Sequence, residues 1–216
     1  MKKPVISRIV PLVAILALIL LLFGFRYLGF VDANFANLAP VSAMALCFGL
    51  FFRRSVLAVV IAFAALVLSD VFVTVLAVRQ DPNLSFWALM VSPTVLLRYA
   101  VYGCLFAVAC FWTRRKTPRT ALALTPAMTL AFYTIMNTVA WLTSVAPFAY
   151  AKTVAGWWQS QTVGLPIPGA PPSYFFLRNA FIGDLLFTVL FVGLVVCLPS
   201  YRRTTDSALK LSENAV

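Results

Sequence analysis

The residues of this sequence that are best suited to chemistry are two aspartates within long apolar stretches. Asp70 lies in a run that begins at about residue 55, and Asp184 lies ten residues after Tyr174 in another. A charge at the centre of a membrane helix costs about 2.5–3.5 kcal/mol on insertion scales, so such a residue normally faces other helices and finds a partner. The two aspartates therefore mark either a ligand site or an ion pair that fixes helix packing.

This chain lacks the residues, or the residue spacing, that several kinds of catalytic, metal and disulfide sites require. It has no histidine, and its four cysteines lie in apolar runs without a CxxC pair. Imidazole acid–base catalysis, zinc ligation and a disulfide framework are therefore not expected. We predict no metal site, no cofactor and no enzymatic activity.

The elements that must position the aspartates are membrane helices. Of the 216 residues, 62% are hydrophobic and 11% are charged, whereas a soluble domain carries about a quarter charged residues. A span needs about 20 mainly apolar residues. The stretches that qualify, or nearly do, are roughly 9–29, 38–52, 55–78, 95–113, 120–143 and 174–198. We predict an all-α, polytopic membrane helix bundle of six transmembrane helices, forming one integral membrane domain over residues 1–216.

The basic residues predict the orientation of these helices. Lys and Arg concentrate in short cytoplasmic segments, and with the N-terminus inside most of the seventeen fall on the inner side. Arg26, Arg79 and Lys152 then lie in outer loops. Both termini are predicted to be cytoplasmic, and the net charge of +11 is attributed to orientation in the lipid bilayer, with no nucleic-acid partner. The first stretch is alternatively a signal peptide, but its apolar run exceeds the usual 7–15 residues.

Polar residues of several predicted helices fall at similar depths. At 1.5 Å per helical residue, Asp70 lies roughly 22 Å from the inner face and Asp184 roughly 15 Å from the outer face. Asp70 is expected to pair across helices with Arg98 or Arg178. An outward-facing pocket for a small molecule is predicted where these groups converge with Asn37, Asn137 and Asn179.

Two long outer segments, 79–94 and 144–173, are rich in aromatic residues. Either these residues form an interfacial belt, which is the more common arrangement, or the segments form a lid over the ligand. The aromatic residues concerned are Phe86, Trp87, Phe148, Tyr150, Trp157 and Trp158.

Four motifs occur in order at residues 37–46, 68–70, 137–142 and 175–187. The last is the most specific, because Arg178-Asn179 followed by Gly183-Asp184 is not mimicked by a generic apolar run. Together they resemble a family of uncharacterised bacterial integral membrane proteins over about residues 26–195. The chain departs from that pattern at Leu38, where Phe is expected, and in the Pro-rich stretch 164–173. Trp141, in the third motif, joins the candidate ligand contacts through this resemblance.

That family is similar in size and topology to the substrate-binding components of energy-coupling-factor transporters. The resemblance implies a multi-pass protein of the bacterial inner (cytoplasmic) membrane that binds a micronutrient at its outer face. It also implies a transmembrane coupling subunit with ATPases as partners. The nickel and cobalt branch carries a histidine after the start methionine, whereas this chain has Lys2, so a transition-metal ligand is not expected.

The leading hypothesis is thus a solute-binding membrane subunit or a small transporter. One alternative is an intramembrane enzyme acting on a lipid or quinone, in which an acid pair would transfer protons. The other is a structural or assembly subunit whose buried charges only fix helix packing. The predicted ligand contacts are Asn37, Asp70, Arg98, Asn137, Trp141, Arg178, Asn179 and Asp184.

Overall fold

Every regular element in the described part of the chain is helical, which confirms the predicted all-α fold. The computed structural model describes residues 6–52, 56–111, 117–145, 149–166 and 171–197. A single 3-10 turn, Ala33–Phe35, lies between the first two helices. The helices are α1 (Ile6–Val31), α2 (Val41–Phe52), α3 (Val56–Gln80), α4 (Phe86–Met90), α5 (Pro93–Phe111), α6 (Pro118–Thr143), α7 (Val154–Gln161) and α8 (Ser173–Cys197).

Within the described residues, four helical stretches are long and apolar enough to cross a membrane, as expected of a membrane protein. They are Val59–Gln80, Phe86–Phe111, Pro118–Thr143 and Ser173–Val196. Two shorter apolar stretches, Leu16–Val31 and Val41–Phe52, belong to α1 and α2. Each of the six predicted spans overlaps one of α1, α2, α3, α5, α6 and α8, and the predicted span positions 55, 112–113 and 198 lie outside the described residues.

The short helix α2 lies at the centre of the bundle. Its residues from Val41 to Leu50 are all buried, and it packs against α3, α5, α6 and α8. Its twelve residues extend only about 18 Å at the helical rise, which is shorter than the roughly 30 Å hydrocarbon core. The predicted span at 38–52 therefore becomes helical only from Val41, and Leu38 and Pro40 are buried in non-helical backbone before it.

The interior of the bundle is apolar at one end and polar at the other. Towards the C-terminal end of α2, Phe48 and Phe51 pack against Phe191 of α8. The polar end is the end at which α1, α3 and α6 finish and α5 and α8 begin. It contains Asp70 and Asp184, both of which are buried. The candidate site lies at this polar end.

Candidate functional site

A cavity of about 490 Å³ lies at the polar end of the bundle. Its volume falls in the range of small-molecule sites, about 300–1,000 Å³. Side chains from α1, α2, α3, α5, α6 and α8 line it, and exposed Asn37 is among them, so it is not sealed from the surface. Its apolar lining includes Phe25, Phe30, Phe132 and Met136.

One group of polar lining residues is a pair of arginines held by a single aspartate. Arg98 Nη2 lies 2.7 Å from Asp70 Oδ2, and Arg26 Nη2 lies 2.8 Å from Asp70 Oδ1. Tyr99 Oη donates a hydrogen bond to Asp70 Oδ2 at 2.8 Å. The two arginines line the cavity, while Asp70, with a 5% exposed side chain, lies behind them. This cluster presents two guanidinium groups to the cavity and fixes both through one carboxylate.

Arg98 confirms the cross-helix pair predicted for Asp70, and Arg178 takes no part in it. The placement of Arg26 in an outer loop was wrong, because Arg26 lies within α1 and its side chain is only 17% exposed. The signal for this was present in the sequence, since apolar residues continue on both sides of Arg26 as far as Val31.

A second group of polar lining residues surrounds the carboxyl group of Asp184. Ser42 and Thr129 donate hydroxyl hydrogen bonds to its Oδ2, the latter at 2.7 Å, and the backbone N–H of Ala43 donates to its Oδ1 at 3.0 Å. Ala43 lies in the first turn of α2, whose N–H groups have no partner within the helix. Asp184 of α8 therefore caps α2 as an N-cap side chain would.

Asn179 and Gly183 hold the chain that leads into α2. Asn179 Nδ2 donates hydrogen bonds to the backbone oxygens of Asn34 at 2.6 Å and Ala36 at 2.9 Å. A Cβ at Gly183 would lie 1.9 Å from the backbone oxygen of Leu38, so only glycine permits this approach. Asn179 and Gly183 are four residues apart and so share one face of α8, and Asp184 follows about 100° further around the helix. The most specific sequence motif thus fastens the segment 33–43 to α8.

Asn37 lines the cavity from within this fastened segment. Its φ of 64° is in the left-handed region, which asparagine adopts more readily than most residues with a side chain. The backbone around it is irregular, and irregular backbone at membrane depth is tolerated only where protein buries it or where it lines a cavity. The contacts from Asn179 and Asp184 supply protein partners for this irregular backbone on one side of the segment.

The structure brings four of the eight predicted ligand contacts to the cavity: Asn37, Arg98, Asn137 and Asp184. Asp70 and Asn179 lie behind it and hold lining residues or backbone in place. Arg178 and Trp141 are not brought to the cavity. The guanidinium of Arg178 lies 4.2 Å from the ring centroid of Phe175, and Trp141 Nε1 donates a hydrogen bond to the backbone oxygen of Ala151 at 2.8 Å.

Sequence reasoning missed four polar lining residues, which are Arg26, Ser42, Thr129 and Tyr133. A signal existed for Thr129, because Thr125 and Thr129 are four residues apart in a largely apolar helix and so share one face. Both are buried. Ser42 lies within the first motif at 37–46, but nothing in its spacing distinguishes it from the neighbouring small residues.

The two aromatic segments, 79–94 and 144–173, contribute no lining residue among those the structure describes. Helix α4 packs against α3, where Thr74 Oγ1 lies 3.4 Å from Met90 Sδ. Helix α7 comes closer, because Tyr133 Oη donates a hydrogen bond to the backbone oxygen of Gln161 at 2.7 Å. Phe148 lies outside the described residues. The segment with α7 thus contacts a residue that lines the cavity.

The Asp184→Asn variant is expected to lower the free energy of unfolding by about 2 kcal/mol. The amide nitrogen of asparagine is itself a donor, so at least one of the groups that donate to the Asp184 carboxylate would lose its acceptor. Thermal unfolding in detergent measures the loss. Asp32→Asn is the matched control. Asp32 caps the 3-10 turn by accepting from the Asn34 N–H at 2.9 Å, and asparagine caps as well as aspartate. Equal stability of the two variants would contradict the capping role of Asp184.

The chain belongs to a family of unknown function (DUF6580), which matches residues 7–207. No curated protein and no solved structure matches it. The match covers most of the chain and agrees with the resemblance to an uncharacterised family.

Proposed function

We propose that this protein is an integral membrane solute-binding subunit or a small transporter, and that its solute occupies the cavity of about 490 Å³. The observation that carries the proposal is the convergence of polar side chains from several helices on one cavity in an otherwise apolar bundle. Polar groups inside a membrane are costly, and they commonly mark solute pathways. A purely structural ion pair needs neither a second arginine on Asp70 nor a cavity beside it.

The broken path into α2 gives independent support. Transporters commonly build their sites where helices are interrupted near the middle of the bilayer, because helix termini and free backbone groups can then contact the solute. Here the segment 36–42 contributes several lining residues directly before and at the start of α2. Asp184 and Asn179 hold that segment from α8, so the site has a preformed wall.

The proposed topology has six membrane passages. In it, the segment 32–40 and α2 together make the second passage, since α2 alone is too short. The basic clusters favour cytoplasmic termini, and the cavity then faces the outside of a bacterial inner membrane. This arrangement suits micronutrient uptake. The sequence has no Walker motif, so an ATP-driven step would need a transmembrane coupling subunit with ATPases.

The proposal predicts that filling the cavity removes a bound solute. Ala180 lines the cavity, and the Ala180→Phe variant would occupy part of its volume. The measurement is mass spectrometry of the small molecules released when protein purified from its native membrane is denatured. We expect at least tenfold less co-purified solute per protein than in the wild type, since a loss of about 1.4 kcal/mol in binding is tenfold in affinity.

Ala64→Phe is the matched control, because Ala64 is an exposed residue of α3 and not among the lining residues. It should retain the wild-type amount of solute. A solute found equally in all three proteins, or in none of them, would contradict the proposed function.

A further inference from the structure

The arginine pair leaves uncompensated positive charge beside the cavity. Arg26 and Arg98 both line it, and both pair with Asp70. One carboxylate balances one guanidinium, and no other acid in the described part of the chain pairs with either arginine. The cluster therefore carries one net positive charge, with arginine side chains only 17% and 23% exposed. In a low-dielectric interior such a charge strongly favours an anion nearby.

The same arginines also have hydrogen-bond donors that no acceptor in the described residues satisfies. The Nε atoms of Arg26 and Arg98 are buried, and neither finds a partner within the described residues. Both oxygens of Asp70 are already engaged, Oδ1 by Arg26 and Oδ2 by Arg98 and Tyr99. A guanidinium presents its donors in a fixed fork that matches carboxylate and phosphate oxygens. Asp70 therefore leaves part of the hydrogen-bonding capacity of the two arginines unsatisfied.

The second polar group offers little to a cation. Asp184 is 2% exposed, and it already accepts hydrogen bonds from Ser42, Thr129 and the Ala43 N–H. A cationic solute would also meet the uncompensated arginine charge. The aromatic lining, which includes Phe25, Phe30 and Phe132, suits an apolar body next to a charged head.

We infer, on the basis of the proposed function, that the solute is a small organic anion whose carboxylate or phosphate binds Arg26 and Arg98. The same anionic chemistry has two sources, which are a free organic acid or phosphate ester and the headgroup of an anionic lipid. Both sources use the same two guanidinium groups.

The test measures binding of four named probes to the full chain in phosphatidylcholine nanodiscs at fixed ionic strength. Benzoate and phenyl phosphate are the anions, benzamide is the neutral analogue, and benzylammonium is the cation. We expect at least one anion to bind at least about tenfold more tightly than benzamide, because a hydrogen bond to a charged group is worth about a tenfold or larger factor in affinity.

The variants Arg26→Gln and Arg98→Gln should each weaken binding of that anion at least about tenfold. Arg79→Gln is the matched control, since Arg79 is exposed in the last turn of α3 at the same end of the bundle and does not line the cavity. It should leave the affinity unchanged. If one arginine variant fails to fold, the other variant and the order of the four probe affinities in the wild type still test whether the solute is an anion bound by the two arginines.

Nanodiscs that contain phosphatidylglycerol distinguish the two sources. If this lipid competes with benzoate in the wild type but not in Arg98→Gln, the anion is a lipid headgroup, and if it does not compete, the anion is a free solute. Benzamide or benzylammonium binding as tightly as the anions would overturn the inference and leave the proposed function standing. Absence of binding by every probe, together with no co-purified solute, would overturn both.

Discussion

The Asp70→Asn variant is expected to lower the free energy of unfolding by about 3–5 kcal/mol, because breaking a buried ion pair leaves an uncompensated charge. Asparagine preserves the shape of the side chain but removes the only charge that balances Arg26 and Arg98 among the described residues. It also replaces one of the two engaged oxygens with a donor. Denaturation of the purified protein, followed by helix content and by the accessibility of buried cysteines, measures the loss.

Asp81→Asn is the control for this experiment. Asp81 is exposed and accepts hydrogen bonds only from nearby Asn83, and surface substitutions usually change stability by no more than about 0.5 kcal/mol. The double variant Asp70→Asn, Arg26→Gln should regain part of the loss, since it removes one of the two stranded charges, and contacting residues are not additive. A stability of Asp70→Asn equal to that of Asp81→Asn would show that the cluster does not hold the helices together.

The Gly183→Ala variant is expected to destabilise the protein by about 3 kcal/mol, at the upper end of typical overpacking costs. The added Cβ would lie 1.9 Å from the backbone oxygen of Leu38 and 2.8 Å from its carbonyl carbon. Neither atom belongs to a flexible side chain, so α8 and the segment 33–43 must separate. The capping of α2 by Asp184 would weaken at the same time. Thermal unfolding measures the effect.

Gly193→Ala is the matched control on the same helix, because a Cβ at Gly193 meets nothing within 4 Å. Alanine is a better helix former than glycine by up to about 1 kcal/mol, so this variant should be as stable as the wild type or more stable. If Gly183→Ala matches Gly193→Ala in stability, the segment before α2 does not pack closely against α8, and the cavity has no preformed wall there.

Residue type and spacing predicted part of the candidate site. An aspartate inside an apolar run needs a partner, which is why Arg98 could be predicted to pair with Asp70. On sequence grounds Arg178 is an equal candidate for the partner of Asp70, since both arginines lie near helix starts on the same predicted side. The structure distinguishes them through helix rotation and neighbours, because Arg98 faces Asp70 while Arg178 lies over Phe175. Rotation of one helix about another is set by packing, which a single sequence does not display.

Hydropathy predicts where the apolar stretches lie, but it does not predict where the helix begins within each stretch. Hydropathy does not distinguish an apolar stretch that is helical throughout from one that is helical only in its second part. Hydropathy at 38–52 therefore predicts one short span, whereas the helix begins at Val41 and the chain before it enters the bundle as irregular backbone. That backbone is stable only because Asn179 and Asp184, distant in sequence, satisfy its polar groups.

Composition and the cost of burying charge are local properties, so the sequence alone predicts a helical membrane protein with costly polar residues near one end of its helices. Which of those residues surround a common cavity depends on the tertiary structure. It brought Arg26 beside Arg98, and it turned Asp184 towards the start of α2. These outcomes depend on contacts between residues far apart in the chain, and such contacts follow from how helices pack rather than from the spacing within any one of them.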